Sequence, residues 1–103
     1  MTTVIHIRES RKSEDEIYIG RPSKWGNPFT HKQGTRASIV VSSRKAAIKA
    51  FKLWFHEQPQ TQLRADAIKE LKNKKLVCFC KPHTCHGDIL AEYVNAMNES
   101  IPF

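Results

Sequence analysis

The chain has 103 residues, 40% of them hydrophobic and 26% charged, which leaves room for one folded domain and no second core. That composition excludes a disordered or collagen-like chain, and no apolar run reaches the roughly 18 residues of a bilayer-spanning helix, so no membrane partner is expected. Seventeen Lys and Arg against ten Asp and Glu give a formal charge of +7, a positive potential that attracts phosphates, nucleic acid or an acidic protein.

The start, MTTVIHIRESRK, is charged where a signal peptide would be apolar, so the expected location is cytoplasmic. Thr3 to Arg8 (TVIHIR) predicts a strand. After the polar stretch RESRKSEDE, Glu16 to Gly20 (EIYIG) predicts a second, placed to pair with the first as a hairpin. Between Arg21 and Thr35 two prolines and two glycines exclude a helix or central strand and predict a long loop. Ile39 to Val41 opens the next element, with Ser42 and Ser43 as candidate helix caps.

From Arg44 to Gln58, the residues Ala47, Ile48, Phe51, Trp54 and Phe55 fall on one face of a helix. Pro59 ends it, and Thr61 is the expected cap of a second helix running to about Asn73. Leu63, Ala67, Ile68 and Leu71 point inward there, and Arg64, Lys69 and Lys72 make the outer face basic. Lys75 to Cys80 (KLVCFC) predicts a strand buried on both faces. The loop KPHT leads into a final helix with the stripe Ile89, Leu90, Tyr93, Val94 and Met97, before the frayed tail ESIPF. The order β, β, long loop, α, α, β, α predicts one α/β domain over residues 1–103, a short sheet covered by about three helices.

All three cysteines lie close together, at Cys78, Cys80 and Cys85, whereas a disulfide framework scatters an even number along the chain, so a reduced compartment is the simpler reading. With His83 and His86, five of the eight Cys and His residues fall in positions 78–86, where uniform scattering would place about 0.7. A strand that delivers a short loop to a helix start presents free amides and a dipole to an anion, and Lys81 and His86 add charge or donors. In that field Cys85 is a candidate nucleophile, with His86 as acid, base or orienting group and Asp88 as a further proton-transfer group. The plainer reading of Asp88 is a carboxylate favoured by the helix dipole. A metal reading takes Cys78, Cys80, Cys85 and His86 as ligands of a zinc ion, although their spacing is irregular and Cys78 also reads as a small buried hydrophobe.

Arg21 to Phe29 (RPSKWGNPF) joins two cations, two aromatic rings and a Gly-Asn-Pro turn. Arg21 and Lys24 suit phosphates, Trp25 suits stacking on a base or ribose, and Asn27 suits a polar edge. The alternative is that Trp25 and Phe29 pin the loop to the core while the cations are solvated.

YIGRPSKWGNPF at 18–29 and LVCFCKPHTCHGDILAEYVN at 76–95 together resemble a small family from bacteria and their phages, domain of unknown function 4326. Its marked positions fall here on Arg21, Lys24, Trp25, Gly26, Asn27 and Pro28, and on Cys78, Cys80, Cys85, His86, Gly87 and Asp88. The resemblance implies that the two stretches form one joint site in a phage or bacterial protein, and it carries no reaction.

Three functions compete. In the first, the domain binds a nucleotide or nucleic acid in a pocket between the two stretches and modifies a nucleotide or base, with Arg21 and Lys24 on phosphate, Trp25 stacking and His86 with Asp88 moving protons. A zinc-stabilised nucleic-acid module with a basic second helix is another. The last is a phage protein that occupies an acidic host protein through charge and the Trp25 loop, on a flat surface.

Overall fold

The computed structural model describes residues 1–30, 39–80 and 83–99. Their elements are β1 (Thr3–His6), β2 (Glu16–Tyr18), β3 (Phe29–Thr30), β4 (Ile39–Val40), α1 (Arg44–Phe55), α2 (Thr61–Glu70), β5 (Lys75–Cys78) and α3 (His86–Glu99). Three helices and a short parallel sheet make the fold α/β, as the element pattern predicts. Among the described residues no helix is long and apolar enough to cross a membrane.

The sheet order is β1-β5-β2, with both outer strands parallel to β5. The expected hairpin of β1 with β2 is therefore overturned. In β5, Leu76, Val77 and Cys78 are all buried, and a strand apolar on both faces loses most water contact in the middle of a sheet. The register sets Val4 and Ile17 on either side of Leu76. Part of the predicted long loop also pairs, as β3 aligns parallel with β4.

Ser43 caps α1, its Oγ accepting from the Ala46 N–H at 3.0 Å. The helix stops at Phe55, short of the expected Gln58. There the Arg64 guanidinium donates to the carbonyls of Phe55 at 2.6 Å and Glu57 at 2.7 Å, satisfying acceptors that a helix end leaves open. Thr61 is the first residue of α2 rather than its cap, and its Oγ1 donates to the Gln58 carbonyl at 2.6 Å. The reason is backbone geometry: Pro59 sits in a 3-10 turn, Gln58–Gln60, that runs straight into α2, without the extended residue that a side-chain cap needs.

The core gathers Phe51 and Phe55, stacked at 5.7 Å, with Ile19, Leu71, Leu76, Leu90 and Val94, all fully buried. Helix α3 lies against β1 and β5, and α1 and α2 pack on α3. Asn95 of α3 exchanges two 2.9 Å hydrogen bonds with the backbone of Thr2, fastening the start of β1. The first turn of α3 sits close to the sheet because residue 87 is glycine. A Cβ there would fall 2.6 Å from Cδ1 of Ile19, which is itself fully buried, so the neighbour has little room to move aside.

Candidate functional site

Parallel strands leave their ligands beyond their carboxyl ends, where the connections diverge. At that end β5 stops at Cys78, Phe79 turns outward to 61% exposure, and Cys80 is left partly exposed. A cleft of about 550 Å³ opens there, within the range of small-molecule sites. Arg21 and Asn27 of the first stretch and Cys80, His83, Cys85 and His86 of the second line it together, with Arg8 beyond β1 and Arg44 at the start of α1. Among the described residues that line it there are three arginines and no Asp or Glu.

The thiols differ sharply. Cys80 is pushed down to about 6, first by the neighbouring Cys85 thiol, then by the charges of Arg44 and Arg21; burial and Asp88 act the other way. Cys85, 2% exposed, is held far above the ordinary thiol range, first by the neighbouring Cys80 thiol and then by burial. Its Sγ also lies 3.5 Å from that of Cys78. Cys80 is the partly exposed thiol of the cleft, whereas Cys85, the candidate nucleophile of the sequence reading, is buried and belongs to the core cluster.

His86 and Asp88 hold the start of α3. The His86 ring meets the Ile19 carbonyl through Nε2 at 2.9 Å and stands edge-on to Phe51 at 5.2 Å. Burial pushes its pKa down. Asp88 accepts the Cys85 N–H at 3.1 Å and returns its own N–H to the Cys85 carbonyl at 3.0 Å, the helix-start role read for it as the plainer alternative. Among the described residues, no group of three or more His, Cys, Asp or Glu is arranged to hold a metal ion.

The first stretch turns mostly inward. Trp25 is 4% exposed and belongs to the core, so it takes the packing role rather than the stacking one. Lys24 bridges to Glu70 at 2.7 Å and Asp66 at 3.3 Å, lies 4.8 Å over the Trp25 ring, and is not among the described residues lining the cleft. Asn27 donates to the Ala47 carbonyl at 3.2 Å and accepts from the Phe29 N–H at 2.9 Å, pinning the loop to α1. Arg21 reaches the Asn27 carbonyl at 3.3 Å and lines the cleft. Lys81 lies outside the described residues.

Motif reading missed Arg8, Arg44 and Phe79. Phe79 stands edge-on to Tyr18 at 6.0 Å and to His6 at 6.4 Å, making an aromatic rim to the cleft. Arg44 left a signal in the sequence: α1 opens on Arg44 and Lys45 with no acid in its first turn, against the helix dipole, which marks a cation placed there for something other than helix stability.

Residues 4–96 match the family described as Domain of unknown function (DUF4326). The chain is 34% identical over 87 residues, 84% of its own length and 73% of the relative's, to a protein named as an uncharacterized 12.4 kDa protein in the nrdA-td intergenic region of Enterobacteria phage T4. It is 32% identical over 115 aligned positions, 89% of its own length and 80% of the relative's, to the uncharacterized protein R718 of Acanthamoeba polyphaga mimivirus. No solved structure matches it significantly. The family match takes in both motif stretches and the helices between them, and the chain belongs to the family of domain of unknown function 4326.

Proposed function

We propose that the cleft binds a phosphorylated nucleotide. The observation that carries this reading is the lining itself: Arg8, Arg21 and Arg44 share one concavity with the exposed ring of Phe79, and no described carboxylate lines it. Guanidinium groups hold phosphate oxygens through paired, charge-assisted hydrogen bonds. An exposed aromatic face at the rim accepts a base by stacking, and every base has such a face. The apolar flank of Phe29, Ala47 and Ile48 excludes water on the opposite wall and strengthens the charge interactions inside.

Calorimetric titration with the four ribonucleoside monophosphates, the matching nucleosides and inorganic phosphate tests the reading. Nucleotides bind more tightly than either part alone, and binding weakens with added salt. Arg44→Ala leaves the melting temperature unchanged and lowers nucleotide affinity by roughly ten- to hundredfold, the range for removing a charged partner from a phosphate. Equal binding of nucleoside and nucleotide, or no binding of any nucleotide, overturns the reading.

A further inference from the structure

The cleft holds a group that binding alone does not require. Cys80 sits in the wall at the carboxyl end of the central strand, the most exposed of three neighbouring cysteines. Behind it, the buried Cys85 thiol donates to the Cys78 sulfur at 3.5 Å. Arg21 and Arg44 line the same cleft and act on the Cys80 sulfur with their charge. His83 also lines it, and its backbone N–H donates to the Cys80 carbonyl at 2.7 Å. A sulfur nucleophile, two fixed cations and an imidazole around one concavity are the parts needed to move a phosphoryl group.

We propose that Cys80 is the nucleophile of a phosphate-monoester hydrolysis, with Arg21 and Arg44 holding the phosphoryl oxygens and His83 moving the proton. This rests on the reading of the cleft as a phosphate site and names what is done to the ligand there. In the first step the Cys80 Sγ–P bond forms from a sulfur lone pair as the ester P–O bond breaks. The departing alcohol oxygen leaves with that electron pair and takes a proton from His83. In the second step water attacks phosphorus, His83 takes a proton from it, the S–P bond breaks, and inorganic phosphate leaves with the thiolate restored. The sum is monoester plus water giving alcohol plus phosphate.

The thiolate is the reactive form of a cysteine, and the surroundings of Cys80, with its acidity near 6, keep it ionised at neutral pH. The groups that set this are Cys85, Arg44 and Arg21 in favour and Asp88 against.

The test uses the full chain with p-nitrophenyl phosphate for turnover and inorganic phosphate for binding. Wild type releases p-nitrophenolate with a rate that rises through about pH 6, and acid-quenched protein carries a phosphoryl group on Cys80. Cys80→Ser binds inorganic phosphate as wild type does and loses turnover by at least about a hundredfold. Wild type alone supplies an independent readout: iodoacetamide modifies Cys80 ahead of Cys78 and Cys85, and inorganic phosphate protects it. Phosphate binding without turnover, turnover that survives in Cys80→Ser, or alkylation spread evenly over the three thiols overturns the proposal while the binding reading stands. Absence of phosphate binding to wild type overturns both.

Discussion

The two motif stretches, 21–29 and 78–88, carry similar inventories of cations, rings and polar groups, and the fold uses them in opposite senses. In the first, the middle turns inward: Trp25 is core, Lys24 is paired to α2 and Asn27 is bonded to α1. Of its residues, Arg21, Asn27 and Phe29 line the cleft. In the second, Phe79, Cys80, His83, Cys85 and His86 line the cleft, and its end also fixes α3, with His86 on the Ile19 carbonyl and Asp88 on the Cys85 amide. Within a motif, side chains that shape a loop and side chains that meet a ligand are chemically alike. What separates them is whether their polar atoms already have partners inside the protein.

The sharpest way to break this comparison is Trp25→Ala. As a core ring it should cost about 3–5 kcal/mol of stability, measured by urea unfolding; a loss under about 1 kcal/mol would return Trp25 to the ligand side. His86→Ala should cost roughly 2–3 kcal/mol, since it removes a buried ring and leaves the Ile19 carbonyl unsatisfied. The pH dependence carries the same message. Burial lowers the His86 pKa from 6.5 in the folded state, so below that value the unfolded chain binds the extra proton first. The stabilisation is present above about pH 6.5 and is lost as pH falls toward the folded value, and His86→Ala should flatten that slope.

Phe79→Ala separates the two classes from the other side. With the ring 61% exposed, unfolding should move by no more than about 0.5 kcal/mol, while nucleotide binding loses about 1–3 kcal/mol of stacking. Lys24→Ala gives the smallest effect. Its ion pairs are solvent-exposed, so stability should drop by less than about 1 kcal/mol and nucleotide affinity should not change. A loss of affinity there would move Lys24 back to the ligand.

Much of the fold was legible because its signals are local. The stripe of Ala47, Phe51 and Phe55 marks a helix by spacing alone, and Ser43 stands directly before it as a cap. The sheet order was not, because β1, β2 and β5 span three or four residues each and nothing in strands that short states which neighbour they take. The site divides in the same way. That both stretches contribute to one concavity followed from the family resemblance that joins them, whereas Arg8 and Arg44 in its lining arrive from distant parts of the chain and carry no motif signal. Thr61 shows the limit on a smaller scale: its residue type suits a cap, but the turn through Pro59 leaves no extended position for one.

The strand at the centre of the sheet is the last of the five to be synthesised. While the ribosome is still making the helices, β1 and β2 have left the exit tunnel with no partner between them, and their pairing groups face water. Nothing in the first 74 residues can close that gap, since both ladders require Lys75–Cys78. The sheet therefore assembles in a single late event that joins the beginning of the chain to its last third, a long loop closure that sets folding speed. Nascent chains halted before β5 should be digested by protease throughout, and chains long enough to include α3 should become resistant all at once.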